Sequence, residues 1–261
     1  RPLLLLIGGT AASGKSTIST EMASRLEIVR TQSTDMLRQV MRMMIPERLL
    51  PVLHTSSFNA WKTLPEGPHD QVNKDTSLVD GYLQQARLIH VACEAVIKRS
   101  MQERVSLVLE GVHVLPSLQE KIPPDTNAVV VPIMLAVLKK NHLMRHIKGR
   151  GTNAPQRRSE RYLENFDDIW QLQSFILSEA DRARTPIVIN SDKETTIREL
   201  MKIIGDSLAQ GFDRSPEDVF TQLGAGRERT TVAGVSKPLV QPGNVKTRQS
   251  WLERFHVRRA R

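Results

Sequence analysis

The sequence predicts an α/β fold in which five parallel strands form one sheet with helices on both faces. Three observations carry this. Short continuous apolar runs such as Leu3–Ile7, Val105–Leu109 and Ala128–Leu135 read as strands buried on both sides. Between them stand segments with apolar residues three and four apart, as at Ile18, Met22 and Ala23, the mark of helices packed along one face. A glycine-bounded turn, Gly8-Gly9 to Gly14, joins the first strand to the first helix, and strands alternating with helices imply a parallel sheet wrapped on both sides.

Taken in order, Leu3–Ile7 is the first strand and Ser16–Leu26 the first helix, with Ile18, Met22, Ala23 and Leu26 on one face. Ile28-Val29 begins a second strand that ends near Ser33-Thr34-Asp35, and Met36–Met44 reads as a helix closed by Pro46. Residues 51–80 read as a long irregular loop, with Pro51, Pro65, Gly67 and Pro68, of the kind that carries function. Leu78–Gln102 reads as one helix with Val79, Leu83, Ala86, Ile89, His90, Cys93 and Ile97 on a face. Val105–Leu109 is the third strand, Pro123-Pro124 a turn and Ala128–Leu135 the fourth strand. Lys139–Arg161 is strongly basic and broken by Gly149, Gly151 and Pro155, which predicts a helical, basic lid. Tyr162–Ala183 is a long helix, Pro186–Ile189 the fifth strand and Glu194–Ala209 the last helix. Beyond Gly211 glycines and prolines scatter among charges, so residues 1–211 form the folded domain and 212–261 a basic, largely irregular tail. Within it Trp251, Leu252 and Phe255 can form a short amphipathic helix.

The chain has 261 residues, 39% of them hydrophobic and 25% charged, an ordinary globular balance. No apolar run reaches the roughly 18 residues that span a bilayer, so no membrane role is expected. The single cysteine, Cys93, cannot form an internal disulfide and sits in an apolar helical stretch, so a buried inert thiol and a cytoplasmic location are expected. The formal charge is +9, and residues 212–261 hold ten Lys/Arg against five acids. A solvated tail is the favoured reading of that excess, with weak contact to nucleic acid as the alternative.

Gly9-Thr10-Ala11-Ala12-Ser13-Gly14-Lys15-Ser16, followed by Thr17, fits G-x-x-x-x-G-K-[ST] at every fixed position, between a strand and a helix. That is the phosphate loop of a P-loop NTPase. Its glycines let backbone N–H groups turn in around phosphate oxygens, and the helix N-terminus faces the same anion. Lys15 is expected on the β- and γ-phosphates of ATP and Ser16 on Mg2+. Asp35, at the end of the second strand, is expected to orient or deprotonate an attacking hydroxyl or to help hold Mg2+; capping the next helix is the alternative. Glu110, ending an apolar strand, stands where P-loop proteins keep a second metal-holding acid. Arg38 and Arg42, four apart on one helix, can grip a carboxylate or phosphate. Among the lid cations, Arg145, Arg150 and Arg158 are the best candidates to neutralise a transferring phosphoryl group. His54, Ser56 and Ser57, with Phe58 and Trp61, can build an acceptor pocket, and His113 is a weaker candidate for it.

The strings Ile7-Gly8-Gly9-Thr10 through Thr17, Ser33–Arg38, Leu53–Phe58 and Leu109–His113 together resemble 2-phosphoglycerate kinase and its bacterial and plant relatives, the low-phytic-acid proteins among them. The resemblance covers about residues 3–210. It implies transfer of a phosphoryl group from ATP to the 3-hydroxyl of 2-phosphoglycerate, with Arg38 and the lid arginines meeting the acceptor's carboxylate and phosphate. Archaeal members carry an extra N-terminal domain, whereas this sequence opens on the first strand and has a basic tail. A kinase for another polyanion, such as an inositol phosphate or an RNA end, and a nucleotide-binding regulator without turnover remain the alternatives. The oligomeric state is left open.

Overall fold

A computed structural model describes residues 1–65, 74–123, 126–153 and 159–212. The tail, Trp251 and its neighbours included, lies outside the described residues, as does Pro124.

Five strands form one parallel sheet: β1 (Leu3–Gly8), β2 (Arg30–Ser33), β3 (Leu107–Glu110), β4 (Val129–Ala136) and β5 (Ile187–Ile189). Their spatial order is β2-β3-β1-β4-β5, every neighbouring pair parallel. The helices are α1 (Lys15–Arg25), α2 (Thr34–Met44), α3 (Lys74–Glu103), α4 (Pro116–Gln119), α5 (Lys140–Asn153), α6 (Ser159–Glu164), α7 (Phe166–Arg182) and α8 (Lys193–Phe212).

The two-residue period of a strand divides the core. Leu3, Leu5 and Ile7 of β1 pack with alternate residues of β4 against α1 and α8, through Ile18, Met22, Ile197, Leu200 and Ile204. Leu4 and Leu6 point the other way, onto Ile89, Cys93 and Ile97 of α3, with Leu37 and Met41 of α2 alongside. Both faces of β1 are therefore sealed, which explains its unbroken apolar run; each such buried Leu or Ile contributes about 1.5–3 kcal/mol relative to exposure. Cys93 is buried, and desolvation pushes its thiol up to about 12, so it is inert as expected.

Several boundaries differ from the sequence reading. The second strand starts at Arg30, because Glu27 adopts a left-handed φ of 53° and the Ile28 amide bonds back to Ala23 at 2.8 Å. That Schellman turn closes α1, drops Ile28 into the core and leaves Val29 91% exposed. The stretch 51–80 is less irregular than expected: Pro51–His54 and Ala60–Thr63 are short 3-10 turns, and α3 already begins at Lys74. The buried face of α3 starts with Leu78, Tyr82 and Gln85, with Val79 and Leu83 at its margin. Gly149 and Gly151 do not interrupt α5, and the predicted helix 162–183 breaks at Asn165, between α6 and α7.

Candidate active site

The middle strand β1 runs straight into the phosphate loop. Gly9 (φ 140°), Ala12 (φ 64°) and Gly14 (φ 89°) turn the chain through conformations that aim successive N–H groups inward. A Cβ at Gly14 would stand 2.1 Å from Asn190 Nδ2, and at this φ any side chain is strained. Gly14 opens α1 without a side-chain cap, and no acid occupies the first turn. The helix therefore presents unclaimed N–H groups and a positive dipole end to an incoming anion.

Three elements brace the loop from outside. Asn190, just after β5, donates from Nδ2 to Ser13 O at 2.9 Å. Thr10 Oγ1 donates to Ile169 O of α7 at 3.3 Å. His146 of α5 bonds through Nδ1 to Ala12 O at 3.1 Å, which makes Nδ1 the protonated nitrogen. Ser13 Oγ is buried with no hydrogen-bond partner, a polar atom that a bound phosphate oxygen would satisfy. Lys15 is only 5% exposed, with Nζ on Thr10 O at 2.6 Å. The ammonium thus lies folded along the loop it is expected to serve.

Strand β3 brings an acid to the same edge, next to the end of β2. Glu110 stands beside Ile7 in one register and beside Ser33 in the other. Ser16 Oγ donates to Glu110 Oε1 at 3.0 Å. A hydroxyl and a carboxylate are hard oxygen donors, and Mg2+ is held by one or two such groups plus phosphate oxygens. Among the described residues no group of three or more His, Cys, Asp or Glu could hold a metal alone. The donor set therefore fits a Mg2+ shared with a nucleotide.

Asp35 does not cap α2. Ser33 does, its Oγ accepting from the Met36 amide at 3.1 Å. Asp35 lies in the first turn with its side chain 72% exposed and Oδ1 at 3.9 Å from Arg38 Nε. It is open to a ligand at the C-terminal edge of the sheet, where ligands of such sheets bind.

His113 is corrected. It is 0% exposed and meets protein groups behind the site rather than a substrate. Nε2 bonds to Gln85 Oε1 at 2.9 Å and Nδ1 to Thr34 Oγ1 at 3.1 Å. Gln85 spends its amide hydrogens on Val52 O and Thr55 O, so its oxygen must accept from Nε2–H, and Thr34 must donate to Nδ1. Desolvation drives the His113 pKa down to about 3, fixing a neutral ring. Gly111 makes this approach possible: at φ 153°, a Cβ would fall 1.8 Å from Thr34 Oγ1.

The residues expected at the acceptor are held by protein groups. Arg38 Nη1 donates to Leu53 O (3.1 Å) and Thr55 O (2.8 Å), and burial lowers its pKa. Arg42, partly buried, donates to Gln39 Oε1 at 3.2 Å. His54 Nε2 ties the loop to Ile45 O at 2.9 Å, and Ser57 is buried. Ser56 Oγ accepts from Arg161 Nη2 at 3.1 Å. Of the selected lid arginines, Arg145 lies exposed on α5, the Arg150 side chain lies outside the described part of α5, and Arg158 lies outside the described residues. Among the described lid residues, Arg161, passed over among eight basic residues of that stretch, reaches the same loop as Arg38, and His146 reaches the phosphate loop. Asn190 was also missed, although its position just after a strand end was a legible signal.

No family model matches the chain. It is 31% identical over 211 residues to a 2-phosphoglycerate kinase of Methanopyrus kandleri, covering 80% of this chain and 63% of that protein. It is 33% identical over 221 residues to a 2-phosphoglycerate kinase of Pyrococcus furiosus, covering 85% of this chain and 70% of that one. The chain thus spans just under two thirds of the Methanopyrus relative's length. Among solved structures, a gluconokinase from Sinorhizobium meliloti aligns at a TM-score of 0.40 and 16% identity, over 85% of this chain and 96% of its own. The phosphate loop, the acids beside it and this shared sequence agree: the chain belongs to the 2-phosphoglycerate kinase family.

Proposed function

We propose that the chain is an ATP-dependent kinase that transfers the γ-phosphoryl group to the 3-hydroxyl of 2-phosphoglycerate, giving 2,3-bisphosphoglycerate and ADP. The observation that carries the reading is the Ser16–Glu110 hydrogen bond at the mouth of an intact phosphate loop; relatives named for this activity supply the acceptor.

The roles follow from placement. Backbone N–H groups of residues 9–17 cradle the phosphates, and Lys15 leaves Thr10 O to meet the β- and γ-oxygens. Ser16 and Glu110 would hold Mg2+, directly or through water, and the ion would supply neutralisation of phosphate charge. Asp35, exposed in the first turn of α2, takes the proton of the attacking hydroxyl as the hydroxyl oxygen bonds to γ-phosphorus and the bond to the β–γ bridging oxygen breaks. Arg38, Arg42, His54 and Ser56 border the acceptor, and cations of the 139–161 lid close over it. Residues 1–211 act as the kinase domain. Among the described residues no helix is long and apolar enough to cross a membrane.

Phosphorus NMR of a reaction containing Mg·ATP and 2-phosphoglycerate tests the proposal. New resonances of a bisphosphorylated glycerate, growing in step with ADP, support it. ATP consumption with inositol phosphates or RNA 5′ ends, and none with 2-phosphoglycerate, would replace the acceptor.

A further inference from the structure

The proposed activity leaves open which groups take the acceptor's negative charge. Two guanidiniums converge on adjacent residues of one loop: Arg38 Nη1 on Thr55 O at 2.8 Å, and Arg161 Nη2 on Ser56 Oγ at 3.1 Å. They come from different elements, α2 and α6. Arg42 stands one turn beyond Arg38 on α2, with Nε buried and unpartnered. Arg161 is seated by aromatic contact, its guanidinium 5.9 Å from the Phe58 ring centre while Tyr162 packs on that ring at 5.5 Å. Asp35, at 3.9 Å from Arg38 Nε, is the acid paired with this group among the described residues.

Three like charges held this close repel one another. Burial is the main cause lowering the Arg38 pKa; Asp35 opposes it, and Arg42 and Arg161 lower it further. A single, largely exposed carboxylate does not balance them. Such an arrangement is electrostatically unfavourable in the empty protein and is relieved by an anion carrying more than one charge.

We infer that Arg161, with Arg38 and Arg42, forms an anion clamp for the acceptor, built for a phosphate monoester with a neighbouring carboxylate. The clamp rests on the kinase reading for its place in a reaction, but its geometry is independent of turnover. Thr55 O and Ser56 Oγ, on adjacent residues, each hold one of the two guanidiniums. Acceptor binding then depends on Arg161 rather than on the exposed Arg145.

The test uses the full chain and the variants Arg161→Gln and Arg161→Lys, with Arg87→Gln, exposed on α3, as a charge-matched control. Removing one charge-assisted contact is expected to raise KM for 2-phosphoglycerate roughly 10- to 100-fold with kcat and KM for ATP little changed. The lysine variant falls between, because it keeps charge and loses the planar fork. Normal turnover with unchanged KM in Arg161→Gln overturns the clamp and leaves the kinase reading standing. If wild type does not turn over 2-phosphoglycerate, calorimetry without nucleotide decides, with 2-phosphoglycerate and inorganic phosphate as probes. Binding by wild type that is lost in Arg161→Gln supports the clamp; equal binding in both, or none by wild type, overturns it.

Discussion

Ser16 Oγ lies 3.0 Å from Glu110 Oε1, so the first turn of α1 and the last residue of β3 share a hydrogen bond. The bond exists because β1 and β3 are neighbours in register, Ile7 beside Glu110. Replacing the carboxylate by an amide, Glu110→Gln, keeps the shape and weakens the hold on a divalent cation. The Mg2+ concentration for half-maximal turnover is expected to rise roughly 10- to 100-fold. A Mg2+ titration that overlays wild type would remove Glu110 from the metal site.

Asp35 is exposed and is not the cap of its helix. Asp35→Asn is therefore expected to leave folding and nucleotide binding close to wild type. If Asp35 takes the hydroxyl proton, kcat falls by roughly 10²- to 10⁴-fold. Steady-state kinetics beside ATP binding by calorimetry make the comparison, and near-wild-type turnover would end its catalytic role.

Gly111 carries a fold requirement rather than a chemical one. In Gly111→Ala the new methyl meets Thr34 Oγ1 at 1.8 Å, at a φ that side chains rarely adopt. Moving Thr34 disturbs the start of α2 and the His113 bond together. A loss of about 1–3 kcal/mol is expected, read as a lower thermal midpoint; an unchanged midpoint would show that the turn relaxes freely.

His113 makes stability depend on acid. Its pKa is about 3 in the folded protein against 6.5 for an ordinary histidine, because burial disfavours the charged ring. Between those values the unfolded chain binds the extra proton. The stabilisation is therefore complete above about pH 6.5 and is lost towards pH 3, by up to about 1.4 kcal/mol per pH unit. His90, bonded to His113 O and likewise lowered by burial, acts in the same direction. Urea unfolding at pH 7.5 and 5.0 should show a steeper loss in wild type than in His113→Gln; equal slopes would contradict the burial argument.

Much of this was legible in the sequence, for identifiable reasons. Strands sealed on both faces must be apolar throughout, so β1, β3 and β4 announce themselves, and the Gly9–Ser16 spacing is dictated by phosphate geometry. The misplaced ends have a physical cause. Glu27, Arg104 and Arg184 close α1, α3 and α7 in left-handed conformations usually taken by glycine. No residue type signals those turns, since the backbone bonds and core contacts around them hold the strained residue in place. The break at Asn165 was hidden because apolar spacing continues across it. The supporting residues were harder still. Gln85 looks like a surface glutamine in a list, and only folding sets it between His113 and the carbonyls of Val52 and Thr55. Arg161 is one of many lid cations until Phe58 and Ser56 are seen to seat it.

The central claim is phosphoryl transfer to 2-phosphoglycerate, and the most direct measurement is ADP release from Mg·ATP with that acceptor. Parallel reactions contain 3-phosphoglycerate and inositol phosphates, and Lys15→Ala serves as the inactive reference. Saturable ADP release with 2-phosphoglycerate alone, abolished in Lys15→Ala, is the predicted result. ATP binding without ADP release from any of these acceptors would contradict it.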